Sequence, residues 1–438
     1  MALRPRLILL AGWLGFMLYA FPGYMSYDSV YQLDEARWGI FSDGHPPAMA
    51  AMWRHVDAMI AGPLGMLIIQ SVVFLAGMYL IFRERMKPNA AAFAAVFLLW
   101  FPPVAAFMAV IWKDSQMTAF ILLGTGLILQ KQRWVRVSGL VMLAVGTAMR
   151  HNALTITLPI VFLCFVWNPD YRWWKRYAIA LVAWFGLTMS ARVVSNALTD
   201  QHRYLWTDSI AMCDMAATLR YTSPTIPDAE LRETFEGLRL WPDSDFHEFA
   251  RRGDEEAEYV PTLWNTAYGL FAVPRDEAER NAMVRAWKKI VLTHREEYLT
   301  YRWKMFTRLL GFGGDDSSPV YNWFTDIQDP YGSATMADHD AHAGKLQDVL
   351  RRGMHAVGRT PLFRVYVYLA LLFILLPFAR DRLTLAVLGS AASSEVILFL
   401  IAPTTDWRYS SWMILAVVIA AMLIAAQRIR SSAPSHSG

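Results

Sequence analysis

The chain has 438 residues, of which 55% are hydrophobic, 14% aromatic and only 18% charged, with a mean hydropathy of +0.27. Soluble domains carry about 25% charged residues, so this composition argues against a soluble globular protein and against a disordered chain. The formal net charge of +4 is small, and the basic residues sit beside apolar runs; that is a topological signature, not a nucleic-acid surface.

Arg4 and Arg6 precede an apolar run from Leu7 to Phe21. No small-x-small cleavage signal follows at Phe21-Pro22-Gly23-Tyr24, so the run is expected to stay as a first span. Further runs near membrane-crossing length are Gly62–Phe82, Ala90–Val110, Ser115–Gln130, Val137–Met149, Ala153–Trp167, Tyr177–Leu198, Leu362–Phe378, Leu383–Ala402 and Ser410–Ala426. The expectation is an all-α polytopic membrane protein with about ten transmembrane helices. One set of turns is basic, as at Arg83/Arg85/Lys87, Lys131/Arg133/Arg136 and Arg172/Lys175/Arg176. The positive-inside rule puts that side, and both termini, in the cytoplasm. Reading Val137–Met149 and Ala153–Trp167 as one broken helix is the alternative, and it inverts everything downstream.

This gives an amino-terminal membrane region, 1–198, with a first outer loop at 22–61. An extracytoplasmic, mostly helical domain at 199–361 lies between spans 7 and 8. A three-span region at 362–430 and a disordered tail at 431–438 complete the chain. In the outer loop, Ala48–Trp53 reads as part of a short interfacial helix. In the outer domain, Pro227-Asp228 and Pro274-Arg275-Asp276-Glu277 mark helix starts, the second opening a long pattern toward Tyr298 and Trp303. Cys164 and Cys213 fall on opposite sides in this topology, so no disulfide is expected between them.

The other set of turns carries charges of both signs, which cost free energy beside apolar spans unless they have a partner or a task. Asp28 has the position of a general base or of a helix N-cap. Asp34-Glu35 reads as a pair of solvated helix-face charges. In Asp43-Gly44-His45-Pro46-Pro47, His45 can bind a phosphate or sugar or carry a proton, and Asp43 can cap the next helix. Lys113, beside Asp114, offers a point charge to a phosphate or snorkels to the interface. Arg150-His151-Asn152 falls between two short apolar runs. Arg150 suits a phosphate bidentately, or a buried ion pair with Asp28 or Asp114. Arg408, in Asp406-Trp407-Arg408-Tyr409, is a second phosphate candidate or a belt residue. Asp315-Asp316 reads as a solvated pair, leaving a divalent cation open. No metal-ligand spacing of cysteine or histidine is present. Trp38, Trp53 and Trp323 lie in outer segments with the option of facing a sugar.

The order of these motifs resembles the GT-C superfamily of integral-membrane glycosyltransferases that use polyprenyl-phosphate sugars, in its bacterial form. The likeness rests on Tyr24-Met25-Ser26-Tyr27-Asp28-Ser29, the turn His45-Pro46-Pro47, Trp112-Lys113-Asp114, Arg150-His151-Asn152 and Arg408-Tyr409. The stretch from Thr293 to Arg302 resembles a helix in the outer segment of such enzymes. The resemblance implies sugar transfer with inversion at the extracytoplasmic face of the inner cell membrane, in glycan biosynthesis for the cell envelope. Asp28 would be the catalytic base. Lys113, Arg150 and Arg408 would bind the donor phosphate, with His45, Asp114, His151, Asn152 and Tyr409 in support. The acceptor would be a glycan, a glycolipid or a protein. No certain cofactor and no nucleic acid is implied. A lipid or glycan flippase and a polysaccharide polymerase or ligase are the rival expectations. Flippases place polar residues near the bilayer midplane and in repeated halves, a pattern this chain lacks.

Overall fold

The computed structural model describes residues 4–204, 206–222, 226–240, 271–313, 320–327, 334–338, 343–402 and 404–432. The protein is mostly helical and divides into two compact units. The first comprises Met1–Gln201, Asp316–Glu395 and Ser410–Gly438, and the second His202–Asp315 and Val396–Tyr409. Of the segment 199–361, residues 202–315 fall in the second unit and residues 316–361 in the first.

In the first unit, α1 (Pro5–Ala20) leads into a loop bearing α2 (Tyr27–Trp38) and α3 (Ala48–Asp57). There follow α4 (Leu64–Arg83), α5 (Pro88–Trp100), α6 (Pro102–Met108), α7 (Lys113–Ile128), α8 (Arg133–Ala148), α9 (Ala153–Cys164) and α10 (Trp173–Leu198). Among the described residues four helices are long and apolar enough to cross a membrane by length and composition: Leu64–Arg83, Trp173–Leu198, Arg382–Ile401 and the stretch Trp407–Arg430. The α5–α6 pair, bent by 71°, would make a fifth. The span expected at Ala90–Val110 is therefore two helices with a break at Phe101. Pro102 and Pro103 have no amide proton to donate to the preceding turn, and their rings clash with it. Val137–Met149 and Ala153–Trp167 form two helices separated by the short turn that carries Arg150 and His151.

Glycines set the spacing of the central helices. A Cβ at Gly124 would lie 2.8 Å from the Gly139 carbonyl oxygen, and one at Gly139 would lie 2.9 Å from that of Gly124. Only hydrogen fits where α7 and α8 touch. A buried amide relay supports the broken end of α6. Gln70 Nε2 donates to the Met108 and Val110 carbonyls at 2.6 and 3.1 Å, and Gln116 Nε2 donates to Gln70 Oε1 at 2.9 Å. Around Val110 the backbone is satisfied from outside the helix as well: the Ala109 carbonyl and Ile111 N bond to Tyr24, and the Val110 carbonyl accepts from the Gln70 and Ser115 side chains.

The remainder of the first unit corrects the all-helical expectation. β1 (Trp323–Asp326) and β2 (Thr335–Asp338) pair antiparallel, with Trp323 opposite Asp338. This hairpin packs on the first loop. Met25 N donates to the Trp323 carbonyl at 2.8 Å, and Ala334 N donates to Asp34 Oδ1 at 3.0 Å. Asp34 and Glu35 are therefore not solvated charges. Glu35 is buried, and its Oε1 accepts from Ser42 N at 2.9 Å.

In the second unit, α11 (Ala211–Arg220), α12 (Asp228–Thr234), α13 (Glu277–Thr293) and α14 (Arg295–Leu309) enclose an apolar cluster including Met212, Met215, Met283 and Ile290. Asp276 caps α13, accepting from Glu279 N at 2.9 Å. The single long helix expected here is broken at His294, whose backbone leaves the helical region. Arg302 and Asp214 form a buried pair at 2.5 Å, and Arg302 Nη1 also donates to the Ala402 carbonyl at 3.0 Å. Asp315-Asp316 lies outside the described residues. The chain closes with α15 (Lys345–Gly358), α16 (Val365–Leu375), α17 (Arg382–Ile401), which contains the boundary between the units, and α18 (Ser411–Ser432).

Candidate functional site

The first loop is fastened to the start of α7 before any functional side chain is considered. Tyr24 N donates to the Ala109 carbonyl and Ile111 N to the Tyr24 carbonyl, both at 2.9 Å. Trp112 Nε1 donates to Ser26 Oγ at 2.7 Å. Ser26 and Ser29 close the amino end of α2, Ser29 Oγ accepting from Ser26 N at 3.1 Å. This removes the capping role from Asp28, which lies in the first turn of α2 with its side chain partly exposed.

The loop then returns over the same place. Phe41 and Ser42 are tied to the end of α10: Phe41 N donates to Asp200 Oδ2 at 2.9 Å, and Asp43 N donates to the Gln201 carbonyl at 3.1 Å. Asp43 does not cap α3, whose N-cap is Pro47 without a side-chain bond. Tyr31 donates to or accepts from Ser42 Oγ at 3.1 Å and meets the His45 ring edge-on, 5.6 Å between centroids. These contacts aim His45 toward Asp28, with Nε2 3.9 Å from Asp28 Oδ1.

Lys113 completes the group. Its Nζ donates to His45 Nδ1 at 2.5 Å and lies 4.0 Å from Asp28 Oδ2. The lysine is engaged by a histidine and an aspartate, so it does not merely snorkel. Asp114, the next residue, is buried and paired with Arg150. Because α7 and α8 run antiparallel in contact, Asp114 in the first turn of α7 meets Arg150 just past the end of α8. Of the alternatives open for Arg150, the structure shows the ion pair with Asp114.

His151 extends the cluster, forming a backbone hydrogen bond with Asp43. His151 is exposed, yet desolvation by the protein beside it lowers the imidazole from the usual histidine value. The Lys113 and Arg150 charges add to that shift, while Asp43 opposes it. Asn152 precedes α9, and its Oδ1 is buried with no hydrogen-bond partner among the described residues.

Other expected residues have surroundings of their own. Arg408 and Tyr409 belong to the second unit, where Arg408 forms an ion pair with Asp406, Nε lying 2.9 Å from Oδ2, its backbone N donates to Asp406 Oδ1 at 3.0 Å, and its guanidinium lies 5.3 Å from the Tyr409 ring centre. Trp53 is fully buried, and its Nε1 donates to the Gly62 carbonyl at 3.1 Å, so it is a core residue and not a sugar platform. Trp38 and Trp323 keep exposed faces. Among the described residues no group of three or more histidine, cysteine or carboxylate side chains is arranged to hold a metal ion. Sequence reasoning missed Tyr31 and Ser42, and read as solvated the Glu35 that bonds to Ser42 N. Their signal was weak, since tyrosine and serine in a loop are ordinary.

No family profile, curated protein or solved structure matches the chain. The functional reading therefore rests on the residues. Chemically, the cluster offers a partly exposed carboxylate, an imidazole beside it and a cation beside both. That set can take a proton from a hydroxyl and steady negative charge nearby.

Proposed function

We propose that the protein is a membrane glycosyltransferase of the GT-C type, moving a sugar from a polyprenyl-phosphate donor to an acceptor hydroxyl with inversion. The observation that carries this reading is the grouping of Asp28, His45 and Lys113 within 4.0 Å of one another. They come from separate segments of a chain rich in apolar helices. A carboxylate base beside a cation suits a reaction that removes a proton from one oxygen while negative charge grows on another.

In the proposed step Asp28 takes the proton of the acceptor hydroxyl. The acceptor oxygen bonds to the anomeric carbon from the face opposite the phosphate. The bond from that carbon to the phosphate oxygen breaks, and its electron pair leaves on polyprenyl phosphate. Lys113 supplies positive charge to that leaving group. Arg150, held in place by Asp114, contributes its remaining N–H groups. Arg408 enters only through the family resemblance, as a cation before the last span. The proposal includes ten spans with both termini in the cytoplasm, chemistry on the extracytoplasmic side of the inner membrane, and a glycan, glycolipid or protein acceptor.

The test is incubation of purified protein with a radiolabelled polyprenyl-phosphate sugar and membrane glycolipids. Transfer of label to the glycolipid by wild type, and its absence with Asp28→Asn, is the expected result. Failure of every lipid-linked donor to react, with folded protein, would remove the reading.

A further inference from the structure

The helix Lys345–Gly358 takes no part in the proposed chemistry, yet its surface is unusual. Leu346 and Val349 are 57% and 60% exposed, and Gly353 and Ala356 follow them on the open side. At 3.6 residues per turn these four fall within roughly a quarter of the helix circumference. The inward positions are already filled, by Met354 and Gly358. Beside the apolar stripe runs a second one: Lys345, Arg352 and Arg359, seven residues apart and all exposed. Between 345 and 359 the chain carries Lys345, Arg351, Arg352 and Arg359 against the single carboxylate Asp348. Asp348 pairs with Arg351 at 3.0 Å and also with Arg352, whose side chain remains 68% exposed.

The ends of the helix fix its level. Gln347 Nε2 donates to the carbonyls of Tyr19 and Phe21, at 3.1 and 2.5 Å, where α1 ends. At its other end the chain turns through Pro361–Phe363 directly into the apolar α16. The helix is thus tied to the mouth of one apolar helix and continuous with the start of another. An exposed apolar stripe edged by cations at that place fits the boundary between acyl chains and headgroups. The long basic side chains can lay their stems along the apolar layer and reach phosphate with their tips.

We infer that α15 lies in the headgroup layer of a membrane and binds anionic phospholipid headgroups along its Lys345–Arg352–Arg359 edge. The occupant is lipid because the apolar stripe is narrow and its flank is basic, which complements a phosphate-bearing surface. The inference rests on the reading that the apolar helices are inserted in a bilayer, and the experiment separates the two.

A polarity-sensitive fluorophore is attached at Val349→Cys in the full chain, and in a second sample at Val182→Cys, on the exposed face of α10. Each sample is placed in vesicles of phosphatidylcholine with or without phosphatidylglycerol, and iodide quenching is measured. Strong protection at both positions is expected, with position 349 several-fold better protected when phosphatidylglycerol is present. Substituting Lys345, Arg352 and Arg359 together by Gln should abolish that difference and lower the phosphatidylglycerol retained through purification several-fold. Quenching at 349 but not at 182 would overturn the α15 inference alone. Quenching at both would overturn the bilayer reading with it. Protection at 349 already in detergent, together with a dimer mass by light scattering, would assign the stripe to a second copy of the chain and overturn the lipid. Equal retention by the triple variant would overturn the headgroup edge even if the stripe is buried.

Discussion

Lys113 Nζ sits 2.5 Å from His45 Nδ1, so an ammonium from the first turn of α7 holds an imidazole from the first loop. An ammonium has donors only, so Nδ1 is the acceptor and the neutral ring carries its proton on Nε2, the nitrogen facing Asp28. The lysine therefore does two things: it places charge near the carboxylate, and it selects the histidine tautomer. Lys113→Met should leave His45 a mixture of tautomers and lower sugar transfer by about 10²–10³-fold, the usual effect of removing one electrostatic stabiliser. The tautomer is read by ¹⁵N NMR of histidine-labelled protein, with His45→Gln providing the assignment. An unchanged spectrum in the Lys113 variant would show that the lysine does not set the ring.

Asp28→Asn keeps the shape of the side chain and removes its basicity. The cap of α2 is supplied by Ser26 and Ser29, so the helix should form as before. The expected result is a fall in transfer of about 10²–10⁴-fold, the range of general base catalysis, with donor affinity and thermal stability close to wild type. Near-normal transfer would remove Asp28 as the base. Loss of donor binding along with turnover would instead point to a role in holding substrate.

Asp114 and Arg150 should behave as a unit in stability. Both are buried, and removing either leaves a charge without its partner, at a cost of about 3–5 kcal/mol. Asp114→Asn and Arg150→Met should each lower the melting temperature in detergent strongly. The double variant should be less destabilised than the sum, because no lone charge remains. Additive losses would mean that the two side chains act independently and that Arg150 is held by something else.

The apolar helices and the polar clusters were legible because each depends on local composition. Gly62–Phe82 corresponds to α4, and Ala48–Trp53 begins α3, since runs and periodicity report burial directly. The break at Phe101–Pro102 was written in Pro102-Pro103, but a long apolar run on both sides masked it. The hairpin Trp323–Asp338 was illegible: its strands are four residues long, and their stability comes from contacts with Met25 and Asp34, some 300 positions earlier. Partner choice was illegible for the same reason. Sequence offered Asp28 and Asp114 equally to Arg150, and the packing of α7 on α8 decided for Asp114.

That packing is itself testable at Gly139. A methyl group there would press on α7 at the Ile128 backbone N and Cγ2, each 2.7 Å away, and at the Gly124 carbonyl, and the two backbone atoms cannot yield. Gly139→Ala should destabilise by about 1–3 kcal/mol, as overpacking does. Gly139→Leu should do worse and also disturb the Asp114–Arg150 pair at the far end of the helices. Thermal unfolding gives the first effect, and the coupling measured for Asp114 with Arg150 in the Gly139→Ala background gives the second. Full stability in Gly139→Ala would show that α7 and α8 can separate freely.

His151 predicts a pH dependence whose sign follows from its surroundings. Its folded imidazole titrates below the ordinary histidine value of about 6.5, because desolvation by the surrounding protein disfavours the charged ring and Lys113 and Arg150 disfavour a further positive charge. The unfolded chain therefore binds the proton more readily than the folded one. The contribution of His151 to stability is complete above about pH 6.5 and is lost as pH falls from there through the lower folded value. Melting temperature should drop over that interval, and His151→Gln should flatten the drop without lowering stability at neutral pH. An imidazole resonance of His151 that titrates at or above the ordinary value would contradict the close approach of Lys113 and Arg150. It would then leave Asp43, through its charge and its backbone hydrogen bond, as the dominant neighbour.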